Sequence, residues 1–325
     1  MGKVKYNVHP QSITAQRLDA PEIIDETRDE FQKLWEEMQS DVPETLYHYT
    51  SADGFLGIIN SQSIWLTNIK YFEDHTEGMY GRKLLLDVID ELIEMDFDEK
   101  KQRFLNRIKK TVTNNWDDFY GKIYVSSFCK EGDVLSQWER FAQKGYCIGL
   151  DITKDTYLGY YTGSSHYALN PKITEIIYDR DKQKGLLEDV LNKCLELLET
   201  ENVFPQDCNT LVLNQVIPWL FSFKNDFFKS EHEWRFITSI DWLASHKEMK
   251  SKSELLSFRV NDGAIIPYKS FRLFNDDSKY EGTLPLVEII RGPKLDEYEA
   301  NSIKSLLRKN RLPLVDINES KIPIR

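Results

Sequence analysis

Residues 230–238 read SEHEWRFIT, and this alternation of charged and aromatic side chains constrains the fold more than any other stretch of the chain. Successive side chains of a β-strand point to opposite faces, so a strand here puts Glu231, Glu233 and Arg235 on one side and His232, Trp234 and Phe236 on the other. The aromatic side requires a core, and the charged side a cleft. Same-face neighbours lie about 6.6 Å apart, so both carboxylates can line one small-molecule site. The alternative is a solvated edge strand with an ion pair between positions i and i+2, because charge on one face of an antiparallel sheet is ordinary.

The chain has 325 residues, 41% of them hydrophobic and 12% aromatic. That supports one large core or two modest ones and argues against global disorder. A net charge of −11 and a pI near 5.2 disfavour a broad electrostatic footprint on nucleic acid or an anionic membrane, without excluding a local basic groove. No apolar run approaches the ~20 residues of a membrane span, and the polar start MGKVKYNVHPQ lacks a signal-peptide core, so a cytoplasmic protein with no membrane partner is expected. Cys129, Cys147, Cys194 and Cys208 form no CxxC pair, which predicts reduced, mostly buried thiols. The six histidines are scattered singly, and no structural metal site is expected.

Residues 18–39 predict a helix that begins near Pro21, with Ile23, Ile24, Phe31 and Leu34 at helical spacing. Residues 1–40 therefore read as a helical extension to one domain over 41–325. TLYHYTS predicts a short strand ending near His48, and GFLGIINSQSIWLTN a short helix, a turn and a further apolar segment. Residues 83–113 read as a helical insert or lid, with plain packing as the alternative; its apolar positions include Leu86, Ile89, Phe97 and Phe104. KIYVSSFC, YCIGLDI, KITEIIYD, LLSFRV and LVEIIRG predict strands, residues 185–200 a helix, and residues 296–309 a helix leading to LPLVDI. Without strict βαβ alternation, the expected fold class is α+β: a mixed, mainly antiparallel sheet with helical insertions.

There is no GxGxxG after a strand, no P-loop and no GxSxG elbow. Three separated segments carry the chemistry: Tyr47-His48-Tyr49-Thr50-Ser51, Tyr124-Val125-Ser126-Ser127-Phe128 and Glu231-His232-Glu233-Trp234-Arg235. A histidine with adjacent hydroxyls suits a ribose, and a carboxylate stabilises an oxocarbenium-like transition state; together they suit glycosidic-bond chemistry. The competing readings are a hydrogen-bonded, half-buried His48 and ordinary polar strand residues at Ser126 and Ser127. Arg235 either orients Glu233 or Glu231 or binds pyrophosphate. Asp74 and Glu77 form either a functional acidic loop or a solvated turn, and the terminal SKIPIR either folds back or frays.

The succession YHYTS, IWLTNIKYFEDHTE, YVSSFC, SQWERFAQKGYCIGLDI, EHEWRFI, VEIIRGPK and SKIPIR, over residues 45–325, resembles the DUF2971 family of uncharacterised, mostly bacterial proteins. Its acidic loop, Phe72-Glu73-Asp74-His75-Thr76-Glu77, departs from that family's approximate Phe-Asn-Asp-Pro-x-Glu, and Phe141 stands where a Tyr is frequent. The family in turn resembles the ADP-ribosyltransferase fold. That resemblance implies NAD as substrate, His48 with Thr50 and Ser51 on ribose, Ser126 or Ser127 in the middle role, and Glu233, beside Glu231, as the catalytic carboxylate. It further implies Tyr49 or Phe72 stacked on nicotinamide.

The leading expectation is an NAD-dependent ADP-ribosyltransferase or NAD glycohydrolase with a macromolecular acceptor and a regulatory protein partner, acting as a bacterial toxin or phage-defence effector. The second is a non-catalytic nucleotide- or protein-binding module of the same fold. The third is a metal-dependent hydrolase using Asp74, Glu77, His75 and His48.

Overall fold

The computed structural model describes residues 22–72, 74, 76–95, 98–139, 144–153, 156–162, 165–199, 203–239, 256–261, 263–274, 282–295 and 298–323. Helix α1, Glu22–Glu37, buries Ile24, Thr27, Phe31 and Trp35, spaced so that one face of the helix meets the core. Pro21 lies outside the described residues. Strand β1, Leu46–Thr50, leads into α2, Ala52–Ser61, whose first turn is capped by Ser51 Oγ accepting from the Gly54 amide. Strand β2 is Ile64–Asn68. The segment read as one helical block is two helices, α3 (Met79–Met95) and α4 (Glu99–Asn114). Asp98 caps α4, its carboxylate accepting from the Lys100 and Lys101 amides. Phe97 lies outside the described residues.

Helix α5, Trp116–Gly121, precedes β3, Ile123–Cys129, and β4, Tyr146–Leu150. A hairpin of β5, Tyr157–Thr162, and β6, Ser165–Glu175, follows. Next come α6 (Arg180–Leu197), α7 (Pro205–Leu220) and β7 (Glu233–Ser239). Strands β8 (Ser257–Asn261) and β9 (Ala264–Phe274) form a second hairpin. The described chain ends with β10 (Leu286–Arg291), α8 (Glu299–Lys309) and β11 (Asp316–Glu319), a strand-helix-strand unit that makes the parallel β10–β11 pair.

The architecture is mixed α+β, and its sheet is mainly antiparallel. Strand β3 organises it. β3 pairs with β2, and the pairings then run through β9, β5, β6 and β7 back to β3, all antiparallel. A wing of β1, β4, β10 and β11 joins β3 through one residue pair, Tyr47 opposite Cys129, after which β1 and β3 part. This seam lies beside His48.

Two apolar clusters sit on the two sides of β3 and β7. On one side Ile123, Val125 and Ile237 meet apolar faces of α1, α3, α4, α6 and α7. On the other, Tyr124, Phe128, Trp234 and Phe236 join a cluster that includes Phe55 and Ile58 of α2 and Ile303 and Leu307 of α8. Helices α1, α3 and α4, which fall in the segments read as an extension and as an insert or lid, pack into the first of these clusters. Trp35 of α1 stacks on Trp219 of α7 with centroids 5.1 Å apart, and Leu85, Ile89, Leu105 and Ile108 of α3 and α4 are fully enclosed.

Close approach explains one helical glycine. A Cβ on Gly81 of α3 would lie 2.4 Å from the Leu220 carbonyl oxygen at the end of α7, whereas a Cβ on Gly185 of α6 would meet nothing within 4 Å. In chemical-denaturant unfolding, Gly185→Ala is expected to stabilise by about 0.5–1 kcal/mol. Gly81→Ala is expected to destabilise, because backbone rather than a flexible side chain must give way.

Candidate functional site

The charged face of the SEHEWRFIT stretch lies neither in a cleft nor in water. β7 begins at Glu233 and pairs with both β3 and β6, so it is not an edge strand. Glu231 belongs to a 3-10 turn, and His232 between them adopts a left-handed conformation with φ of 42°. That break in extended backbone corrects the expectation that Glu231 shares strand alternation with Glu233 and Arg235. Glu233 and Arg235 keep it, and both are buried, at 5% and 1% exposure.

Arg235 is the centre of a closed ionic network. Its Nε donates to Glu233 Oε1 at 2.6 Å and its Nη2 to Glu233 Oε2 at 3.0 Å. Nη1 and Nη2 donate to the two oxygens of Glu77, each at 2.9 Å, and Nη1 also donates to the Phe221 carbonyl at 2.9 Å. All five guanidinium N–H groups are thereby used. The Lys224 ammonium reaches Glu77 at 3.1 Å, Glu231 at 2.6 Å and Glu233 at 2.7 Å, which accounts for its three donors. The Tyr178 hydroxyl accepts from the Glu233 amide at 3.1 Å.

The electrostatics follow from this geometry. Burial alone would raise the pKa of Glu233, but the charges and hydrogen bonds of Arg235 and Lys224 outweigh it and hold the carboxyl well below the usual range. Glu233 is thus an ionised carboxylate whose two oxygens already face two cations. Burial, then the neighbouring Glu233 charge, pushes the Cys129 thiol up, so it is held protonated. All four cysteines are buried.

His48 faces the other way. Tyr47, Cys129 and Glu233 lie in one row across β1, β3 and β7, so their side chains share a face, and His48 projects to the opposite one with Phe128 and Trp234. Its ring packs on Phe128 with centroids 5.4 Å apart. Nδ1 donates to the Ser127 carbonyl at 2.9 Å, which leaves Nε2 as the acceptor nitrogen. Burial lowers the His48 pKa, the Ser127 hydrogen bond opposes the shift, and the charge of Arg259 adds to it.

The expected site residues are therefore divided between two faces. Ser126 is on the His48 face, and Ser127, opposite Arg235, is on the Glu233 face. Ser126 Oγ and its diagonal neighbour Thr238 Oγ1 are buried without a hydrogen-bond partner among the described residues. Thr50 is on the His48 face, and Ser51 caps α2. Tyr49 packs edge-on against Trp138 at 4.9 Å, and its hydroxyl accepts from the Val134 amide at 2.9 Å. Phe72 packs against the helical cluster. Neither aromatic lies on the His48 side of the seam.

The remaining motifs buttress this arrangement. Glu77, offered as part of an acidic loop or a solvated turn, is 5% exposed and clamps Arg235. Asp74 accepts from the Thr76 amide and hydroxyl. Trp138 is fully enclosed and donates to Asp133 at 2.8 Å. The C-terminal segment folds back, the Lys321 amide donating to the same carboxylate at 2.8 Å and Ile322 packing beside Tyr49 and Trp138. Glu73, His75, Phe141, Ile324 and Arg325 lie outside the described residues.

A recess of about 290 Å³ opens beside Glu77, Lys224, Tyr80, Lys83, Asn225 and Phe228. It falls at the bottom of the roughly 300–1,000 Å³ range of ligand pockets, so it fits a fragment rather than a dinucleotide. Among the described residues no group of three or more His, Cys, Asp or Glu is arranged to hold a metal ion, and no helix is long and apolar enough to cross a membrane.

The sequence reading missed Lys224, Tyr178 and Arg259. The first two precede the β7 motif without a pattern of their own. Arg259 carries a readable signal, since SFRVN alternates, but hydrophobic patterning predicts Phe258 and Val260 inside, whereas they are 61% and 69% exposed.

A mixed α+β chain in which Glu77, Lys224, Glu231 and Glu233 gather around Arg235 is the class that these features define. The model of the family described as "Protein of unknown function (DUF2971)" matches residues 137–236 and supports the resemblance drawn from the motifs. That match includes Trp138, Lys224, Glu231, Glu233 and Arg235. The comparisons with curated proteins and with solved structures returned no match.

Removing one member of a buried ion pair strands the other, so Glu77→Gln and Glu233→Gln are each expected to cost about 3–5 kcal/mol in denaturant unfolding. The His48 contribution follows from its depressed folded pKa: it is fully present above the unfolded value of about 6.5 and is lost as pH falls through the folded value. Stability should therefore begin to fall below about pH 6.5, and the His48 ring resonances should remain those of neutral imidazole there.

Proposed function

We propose that this chain is a nucleotide-binding module of ADP-ribosyltransferase-like organisation, with NAD among its ligands, in which the Glu231–Glu233–Arg235 motif holds the structure together instead of cleaving a glycosidic bond. The saturated network carries this reading: every donor of Arg235 and Lys224 already meets a partner, with Glu233 enclosed beneath the helices. A carboxylate in that setting stabilises its own cations. It does not approach a ribose whose other contact is His48, because His48 projects from the opposite face. The ligand site lies at the seam between β1 and β3, where His48 Nε2 is an acceptor.

One observation favours NAD cleavage as a second reading. The strands that carry the three motif segments, β1, β3 and β7, are consecutive neighbours in the sheet. Under that reading the chain transfers ADP-ribose to a macromolecular acceptor or to water, as a bacterial toxin or phage-defence effector under a regulatory partner.

Calorimetry with NAD, run beside NMR detection of free nicotinamide, separates the two. The binding module predicts saturable binding, no nicotinamide release with or without cell lysate, and weaker binding by His48→Ala. Nicotinamide release by the wild type that is lost in folded Glu233→Gln would establish the second reading.

A further inference from the structure

The β8–β9 hairpin, paired to β2 through β9, carries a cation on the same face as Tyr268 and Thr67. Arg259 of β8 lays its guanidinium over two rings, 5.4 Å from the Trp65 centroid and 5.8 Å from that of Tyr268. Those rings pack on each other, with centroids 4.5 Å apart and planes tilted by 33°. One guanidinium N–H group is used, Nη2 donating to Thr67 Oγ1 at 2.9 Å. Among the described residues no carboxylate pairs with Arg259.

That isolation is unusual in this chain. It has 53 acidic residues against 42 Lys and Arg, and of its buried guanidinium groups Arg235 holds two carboxylates and Arg291 lies 3.5 Å from Glu319. A half-buried cation without a counter-ion is costly unless an anion completes it. The aromatic bed points the same way: Trp65 Nε1 is a buried donor without an acceptor among the described residues. Gly57 is needed to seat this indole, since a Cβ there would lie 2.0 Å from the Trp65 ring. The planar fork of a guanidinium held on rings suits the paired oxygens of a phosphate, and the flat bed limits the side-chain entropy lost on binding.

We propose that Arg259, held on Trp65 and Tyr268 and steadied by Thr67, is the phosphate-binding element of this chain, taking the phosphate or pyrophosphate of a nucleotide. The proposal rests on the nucleotide-binding reading for the identity of the ligand, not for the anion chemistry. Bound phosphate supplies a counter-charge and accepts from the guanidinium N–H groups that have no partner among the described residues. It also opposes the effect of Arg259 on His48, so the imidazole pKa rises on binding.

The test is a titration of the full chain with inorganic phosphate, pyrophosphate, ADP and NAD. The readouts are calorimetry and the indole N–H resonance of Trp65, assigned with Trp65→Phe. Pyrophosphate and ADP are expected to shift that resonance, and Arg259→Gln should weaken ADP by about tenfold or more, as loss of charge-assisted hydrogen bonds requires. Arg259→Lys, with its fold verified by circular dichroism, should retain part of the affinity but lose the preference for pyrophosphate over phosphate. If pyrophosphate binds through Arg259 while ADP and NAD do not, the anion site stands and the nucleotide reading falls. NAD bound equally by wild type and Arg259→Gln would overturn this site while leaving that reading intact. Failure of every probe to move the Trp65 resonance would also overturn it.

Discussion

The structure depends on one buried guanidinium. Arg235 joins β7, which bears it and Glu233, to Glu77 ahead of α3 and to the Phe221 carbonyl at the end of α7. Glu77 and Arg235 are 158 positions apart, so their pairing fixes how α3, from the first half of the chain, sits against β7 of the second. Such a site is all or nothing. A buried charge is tolerable when every hydrogen bond is made, and a partly satisfied network is worse than an apolar core. Lys224 completes this one by gathering Glu77, Glu231 and Glu233 around a second cation.

The period of two in a strand then divides the chemistry. The row Tyr47, Cys129 and Glu233 turns one way, and the row His48, Phe128 and Trp234 turns the other. Residues that look like one constellation along the chain become two places. The Glu233 face is closed by ion pairs and helices. The His48 face meets a seam where β1 and β3 share one residue pair, and Arg259 with its aromatic bed lies on the β8–β9 hairpin, on the same face as Thr67.

Much of this was legible in the sequence, for physical reasons. Alternation and β-branched content located β1, β3, β4 and β10, and helical spacing located α1, α6 and α8. The helix α7 was not read, although Gln206, Thr210 and Asn214 stand exposed four residues apart opposite the buried Leu211, Val212 and Val216, because the prolines at both of its ends and its uncharged polar face mask the period. Glu77 read as a functional loop residue or, slightly sooner, as solvated, because a carboxylate in a polar loop carries no local mark of a partner so distant in the chain. Glu231 was misplaced because the left-handed turn at His232 cannot be seen in a pattern that continues unbroken through it. Arg259 was missed because the hairpin turns its apolar residues outward, against hydrophobic patterning.

The most direct measurement of the central claim is native-state hydrogen exchange, comparing wild type with Glu77→Gln. If Arg235 ties the helices to the sheet, protection should fall together in α3, in β7 and at the end of α7, because all three share the guanidinium. Loss of protection confined to the residues around Glu77, with β7 unchanged, would contradict it and reduce the network to a local contact.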